Sequence, residues 1–353
     1  MKRRVTSQEV ARRAGVSRTT VSFVLNGVQT GKVSDETRAR VRRAARELGY
    51  VPDAAARTLV SGKTGTVGLV VSRADHIGVD AFIPQTIQSL AQTCNGFGYR
   101  LLIETSDEGQ TTYDYDQLVG AKRIDGLVVL NPDPADHRLG ELIDRNFPVA
   151  LIGAYPHPDA VSVSVDSALA MDRLTSYLIG LGHERIGFVH YRQMKGLNTG
   201  GRFRGFRTAL ERAELPLVER WIQPGGYSAE SGYTVMRAIL DGPDVPTAIV
   251  AGNDTIAIGV ISAIVESGRR VPCDIAVVGF DDIPLARYIS PPLTTMHLPA
   301  GVMAETCGTM LHRLIKGEAL ADRTRIFDAE LVVRSSSGSA CIHDASPTSE
   351  PRE

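Results

Sequence analysis

Cysteine is scarce in this sequence. The four present, Cys94, Cys273, Cys307 and Cys341, are scattered without a CxxC pair or a histidine at ligand spacing. That predicts reduced thiols and excludes both a disulfide framework and a zinc site, so no metal or catalytic cofactor is expected. Long apolar runs are missing, so no segment is expected to span a membrane. The opening MKRRVTSQEVARRAG is charged and lacks an apolar core, which predicts no secretory leader and a cytoplasmic protein. There is no GxxxxGK[ST] phosphate loop, no GxSxG elbow and no HExxH helix. Gly200, Gly201 and Gly205 sit at a helix entrance without making GxGxxG, and the eight histidines are dispersed. His183, in LGHERIGF, reads as structural. No catalytic residue is nominated and an enzyme is not expected.

What the chain has is an uneven charge. Its formal net charge is −1, yet residues 1–60 hold 13 Lys/Arg against 5 Asp/Glu, or +8. The remainder holds 26 basic and 35 acidic residues, or −9. A basic head on an acidic body predicts that the head alone meets a polyanion. With 353 residues the chain is long enough for two or three domains.

The head reads as three short helices. Thr6 with Glu9 three residues on is a capping box, Val10, Ala11 and Ala14 form an apolar stripe, and Gly15 ends the run. Ser17 then caps a second helix whose core positions are Val21, Val24 and Leu25 and which Asn26-Gly27 stops. Ser34 caps a third, which runs to about Leu48 with Val41, Ala45 and Leu48 inward and Arg38, Arg42, Arg43 and Arg46 outward. Helix, tight glycine turn, helix is the helix-turn-helix layout, in which the second helix enters the major groove by its N-terminal residues. Its first turn is polar: Arg18 suits paired bonds to guanine, Thr19 and Thr20 offer hydroxyls and methyls, and Ser17 and Ser22 suit phosphates. A small helical bundle with a wet face would show the same pattern. Next, Pro52 breaks the third helix, and Asp53 caps a short Ala-rich helix from Ala54 to about Val60. So short a helix is unstable without a partner; Leu59 is placed to wedge into a minor groove.

From Thr66 onward apolar runs alternate with helical patterns. Strands are expected at 66–71, 100–105, 126–130 and 149–153, with helices near 82–96, 113–122 and 136–146. A second series has strands at 185–190, 218–223, 247–252 and 275–280, with helices near 168–181, 201–213, 229–241 and 254–267. Continuous apolar strands are those of parallel sheets covered on both faces. The fold class expected is therefore an all-α head and hinge helix followed by an α/β body of two doubly wound parallel-sheet subdomains. Head, hinge, body and a disordered tail are expected over 1–50, 51–64, 65–334 and 335–353. Ligands bind outside the carboxyl ends of such strands. Asn253 and Asp254 end one strand, Asp281 and Asp282 another, Asp166 follows VSVSV, and Arg202 opens a helix. Of these, Asp254 looks like an N-cap, while Arg202, Asn253 and Asp281 together suit a polyhydroxylated or heterocyclic ligand.

VTSQEVARRAGVSRTTVSFVLNG, ETRARVRRAARELGYVPDAAARTL, LGHERIGFV, GRFRGFRTAL, AIVAGNDTIAIGVISAI and DIAVVGFDDIPLARYISPPLTT resemble, in order and spacing, the lactose-repressor (LacI/GalR) family of bacterial transcription regulators. The resemblance covers residues 4 to about 334 and implies a body like that of periplasmic binding proteins. It implies a homodimer whose heads read two half-sites of a pseudo-palindromic double-stranded DNA operator, under control of a small-molecule effector, a sugar being the expected class. It implies base reading by Arg18 and Thr19 and minor-groove insertion by Leu59. The implied DNA-contacting set is Thr6, Ser17, Arg18, Thr19, Thr20, Ser22, Phe23, Asn26, Ala56 and Leu59. The implied effector set is Phe82, Arg202, Tyr227, Asn253 and Asp281. Phe23 departs from the family, which usually has arginine there. The turn GVQTGKV looks long, and Ser167-Ala168-Leu169-Ala170 replaces the usual residues after Asp166. The tail has no heptads, so no C-terminal coiled coil is expected. A solute-binding protein that feeds a transporter would need the same body, but neither the basic head nor the absent leader fits it.

Overall fold

The structure is a computed structural model and describes residues 5–25, 33–51, 62–71, 74–105, 113–191 and 197–338. The chain divides into two compact units, Met1–Gly65 with Lys122–Asp125, and Thr66–Ala121 with Gly126–Glu353.

In the first unit, α1 (Ser7–Ala14), α2 (Arg18–Leu25) and α3 (Asp35–Leu48) enclose a core of Val10, Ala11, Ala14, Val21, Val24, Val41, Ala44 and Ala45. The capping box forms as its spacing predicts. The Thr6 hydroxyl accepts from the Glu9 amide at 3.4 Å and the Glu9 carboxylate accepts from the Thr6 amide at 2.8 Å. Gly15 ends α1 at φ 67°, a backbone that costs glycine nothing. Ser17 starts α2 by accepting from the Thr20 amide at 3.1 Å, and Ser34 starts α3 by accepting from the Thr37 amide at 3.3 Å. The exposed Arg13–Glu47 ion pair at 3.0 Å joins α1 to α3 and adds little. Asp125 ties the chain leaving this unit, accepting from the Thr64 amide at 2.7 Å and the Gly65 amide at 2.8 Å.

The second unit holds two parallel sheets. One has six strands in the order β11-β5-β4-β3-β1-β2, namely β1 (Thr66–Val71), β2 (Arg100–Thr105), β3 (Gly126–Leu130), β4 (Val149–Ile152), β5 (Ser162–Val165) and β11 (Thr324–Phe327). The other has the order β7-β6-β8-β9, namely β6 (Ile186–Tyr191), β7 (Ile222–Gly225), β8 (Ala248–Ala251) and β9 (Ala276–Val278). β10 (Thr295–His297) and β12 (Glu330–Val332) form a separate short antiparallel pair. The helices are α4 (Ala74–Val79), α5 (Phe82–Gly96), α6 (Asp116–Val119), α7 (His137–Asp144), α8 (Ser167–Gly180), α9 (Leu197–Arg212), α10 (Ala229–Leu240), α11 (Asp254–Glu266) and α12 (Ala300–Ile315). α5 and α12 pair on the first sheet, while α8 pairs with α9 and α10 with α11 around the second. Glycine permits the tightest of these approaches. A Cβ on Gly205 would lie 2.1 Å from the Ala168 carbonyl oxygen, and one on Gly259 1.8 Å from that of Ala229.

Several expectations need correction. The helix expected over 113–122 is only Asp116–Val119, with Tyr115 as its N-cap and Gly120 as its C-cap. α9 begins at Leu197, so Arg202 lies inside the helix rather than opening it. Asn253, not Asp254, caps α11, accepting from the Ile256 amide at 2.8 Å. Residues 336–338 belong to the body rather than to a loose tail. The Ser336 hydroxyl donates to the Val277 carbonyl at 2.7 Å and the Gly338 carbonyl meets His183 Nε2 at 2.8 Å. With its other nitrogen 3.1 Å from Thr247, the buried His183 is structural. Cys94 and Cys307 are free and buried, as expected of reduced thiols. Asn26, Ala56, Leu59, the hinge helix and most of GVQTGKV lie outside the described residues.

Candidate functional site

The outward side of α2 is built by exclusion. Val21 and Val24 are 1% and 2% exposed and fix which side faces the core. Arg18, Thr19 and Phe23 are left exposed and Thr20 and Ser22 half-buried. The Thr20 hydroxyl is 2.9 Å from that of Ser17, so both are partly engaged in starting the helix. Thr6 is likewise engaged in its capping box. Arg18 and Thr19 are thus the exposed polar residues of the first turn of α2, with Phe23 one turn beyond Thr19.

In the second unit the parallel strands end in a buried cluster around Arg202. Its Nη1 donates to the Tyr191 hydroxyl and to the Gly252 carbonyl, and its Nη2 donates to Asp281 Oδ1 at 3.2 Å. The guanidinium lies 4.0 Å from the Phe280 ring centroid, within cation–π range. Tyr191 donates to the Gly252 carbonyl at 2.9 Å and stacks on Tyr227 with centroids 4.2 Å apart. Tyr191, Gly252 and Asp281 all sit at or just past strand carboxyl ends, as the rule for doubly wound sheets requires. Asp281 adopts φ 118°, which turns its carboxylate back toward the arginine. The Arg202 Nε is buried and makes no hydrogen bond. A buried donor without a partner is costly.

Charge in this cluster is strained. Burial pushes the Asp281 carboxyl well above its ordinary range, and Arg202 pulls it back only in part. Burial also raises Asp80, whose carboxylate accepts from the Phe82 amide at 3.1 Å and is likewise drawn down by Arg202. Burial drives the Tyr191 hydroxyl far up, so it stays a neutral donor.

The structure thus brings Arg202, Asp281 and Tyr227 together through Tyr191. Asn253 is near, its Nδ2 3.5 Å from the Tyr227 carbonyl, but its Oδ1 is spent on capping α11. Phe82 is buried in one apolar cluster with Phe188, Phe206 and Phe280. Asp166 caps α8, accepting from the Leu169 amide at 2.9 Å, and Asp282 pairs with Arg334 at 2.6 Å. Sequence reasoning missed Asp80, Tyr191 and Phe280. The strand-end rule finds Tyr191 once its strand is extended by one residue, since β6 ends on Tyr191 rather than His190, while Phe280 is already the last residue of the strand expected over 275–280.

Comparison with known proteins finds relatives for both parts of the chain. The profile of "Bacterial regulatory proteins, lacI family" matches residues 6–53, and that of a "Periplasmic binding protein-like domain" matches 175–337. The chain is 38% identical over 311 residues to the HTH-type transcriptional repressor PurR of Serratia proteamaculans (strain 568), covering 87% of this chain and 89% of the relative. The PurR of Yersinia pestis (strain Pestoides F) is 38% identical over 310 residues, with the same coverage. Among solved structures, a lac repressor dimer bound to operator and the anti-inducer ONPF superposes with a TM-score of 0.84 at 27% identity, covering 95% of this chain and 100% of that one. A transcriptional regulator CelR–cellobiose complex does so with a TM-score of 0.69 at 30% identity and the same coverage. No helix among the described residues is long and apolar enough to cross a membrane. The chain belongs to the LacI family, and is a ligand-responsive, DNA-binding transcriptional regulator.

Proposed function

We propose that the protein is a cytoplasmic, non-enzymatic repressor that binds a pseudo-palindromic operator as a homodimer and is released or retained by a carbohydrate bound around Arg202. The observation that carries the effector half is the buried Arg202 with one donor unspent beside Asp281 and the Tyr191–Tyr227 stack. A sugar offers acceptors for that donor, hydroxyls for Asp281 and an apolar ring face for Tyr227. The cellobiose bound to the CelR relative supports that class. Arg18 and Thr19 read bases, and Ser17, Thr20, Ser22 and the N-terminus of α2 hold phosphates. Thr6, Asn26, Ala56 and Leu59 complete the DNA-contacting set, and Phe82 and Asn253 border the effector.

The coupling is reciprocal: a ligand that weakens operator binding is itself weakened by the operator. A thermal-shift screen of mono- and disaccharides, followed by operator titration with each hit, tests the proposal. A stabilising sugar that changes operator affinity supports it. Sugars that neither raise the melting temperature nor alter DNA binding, alongside another class of molecule that does both, overturn the carbohydrate assignment.

A further inference from the structure

One side chain on the reading face of α2 differs in kind from its neighbours. Phe23 is 36% exposed, and no other large apolar side chain described on α1, α2 or α3 is exposed. At about 100° per residue, Thr19 and Phe23 lie about 40° apart around the axis, both turned away from Val21 and Val24. Phe23 therefore shares the side that Thr19 presents, in a head carrying 13 Lys/Arg against 5 Asp/Glu over residues 1–60.

A phenyl ring has no donor or acceptor to offer a base edge or a phosphate. Set against a polar base edge, it strips water from that edge and leaves the group unsatisfied. The major groove presents a single apolar group, the C5-methyl of thymine. We propose that Phe23 is a thymine reader: its ring packs on the methyl group of one thymine in each operator half-site. This rests on the DNA-binding reading above and names what the second turn of α2 recognises. Five residues separate Phe23 from Arg18, about 7.5 Å along the helix axis.

The experiment selects an operator from a random duplex pool with the full-length protein, then replaces each thymidine in turn by deoxyuridine. That change removes a methyl and leaves every hydrogen-bonding group in place. At one position per half-site the wild-type protein is expected to lose roughly fourfold in affinity per methyl removed, the worth of burying one such group. F23A is expected to be indifferent at that position, while F23L keeps the sensitivity. Because phenylalanine carries no charge, the salt dependence of F23A is expected to match wild type. Equal losses in wild type and F23A, or no methyl-sensitive position at all, overturn the inference, and the deoxyuridine series on wild type decides this without any variant. If no duplex is enriched by wild-type protein, the DNA-binding reading itself fails. That outcome is distinct from an enriched operator that ignores its methyl groups.

Discussion

The Asp254 carboxylate accepts a hydrogen bond from the Thr295 hydroxyl at 2.5 Å and another from the Ile283 amide at 2.8 Å, clamping the first turn of α11 to β10 and to the segment after β9. Gly279 makes room for that clamp, since a Cβ there would fall 2.2 Å from Asp254 Oδ1. Burial raises the Asp254 pKa to about 6, with Asp282 adding to the rise and Arg334 opposing it. The folded protein therefore holds this proton more tightly than the unfolded chain does. Stability from this residue is full below about pH 4, falls as pH rises toward about 6 and stays lower above it. D254N keeps an acceptor for Ile283 and offers a donor to Thr295 without the buried charge. Urea unfolding at pH 4.5 and pH 7.5 is expected to show the variant gaining about 2 kcal/mol on wild type between the two pH values. An unchanged difference between the two proteins would refute the assignment.

Arg202 and Asp281 are 3.2 Å apart, with side chains 11% and 4% exposed. Breaking a buried pair leaves one charge uncompensated, which costs about 3–5 kcal/mol. D281N keeps the shape of the side chain and removes its charge. The expected result is a lower melting temperature, loss of the effector response and retained operator binding without effector. Retained effector response in D281N would remove Asp281 from the site.

Gly259 lets α11 lie directly on α10. A methyl group there would meet the Ala229 carbonyl oxygen at 1.8 Å and the Tyr233 amide nitrogen at 2.7 Å. Both neighbours are backbone, so the helices must part. G259A is expected to cost about 3 kcal/mol, a fall in melting temperature of about 6–12 °C. Effector affinity is expected to drop with it, because Tyr227 lies two residues before Ala229. A melting temperature within a degree of wild type would show that the approach is looser than described.

In the head, T6A removes the acceptor of the Glu9 amide and half of the capping box. The expected cost is about 1 kcal/mol, confined to α1. Hydrogen exchange over Ser7–Ala14 in the full-length protein reads it directly, and T6S is expected to behave as wild type.

Much of this arrangement was legible in the sequence where the signal is local. Thr6 with Glu9, Gly15, Ser17 and Ser34 act on atoms within a few residues of themselves, so their roles follow from spacing. The strands of both series stand out because both faces are buried and nearly every residue is apolar. What was not legible depends on partners far along the chain. Asn253 and Asp254 are adjacent and both are good caps. The choice between them is made by Ile283 and Thr295, which claim the Asp254 carboxylate from 29 and 41 residues away. β11 and α12 were missed for a related reason: their places are set by β5, β4 and α5, not by their neighbours. Of the cluster around Arg202, the sequence points to Arg202, Tyr227 and Asp281 but not to Asp80. Its carboxylate caps a helix start, which the sequence alone does not distinguish from a surface turn.

The chain runs through the first sheet, crosses to the second, returns as α12 and β11, and crosses again where Ser336 bonds to Val277. Neither half of the body is therefore encoded by one uninterrupted segment. A chimera that exchanges one half for that of a relative needs several junctions, and a single-crossover recombinant pairs a sheet from one parent with α12 and β11 from the other. Recombination between relatives is thus expected to yield folded hybrids mainly at the boundary between the head and the body, so heads can be exchanged among relatives more readily than either half of the body.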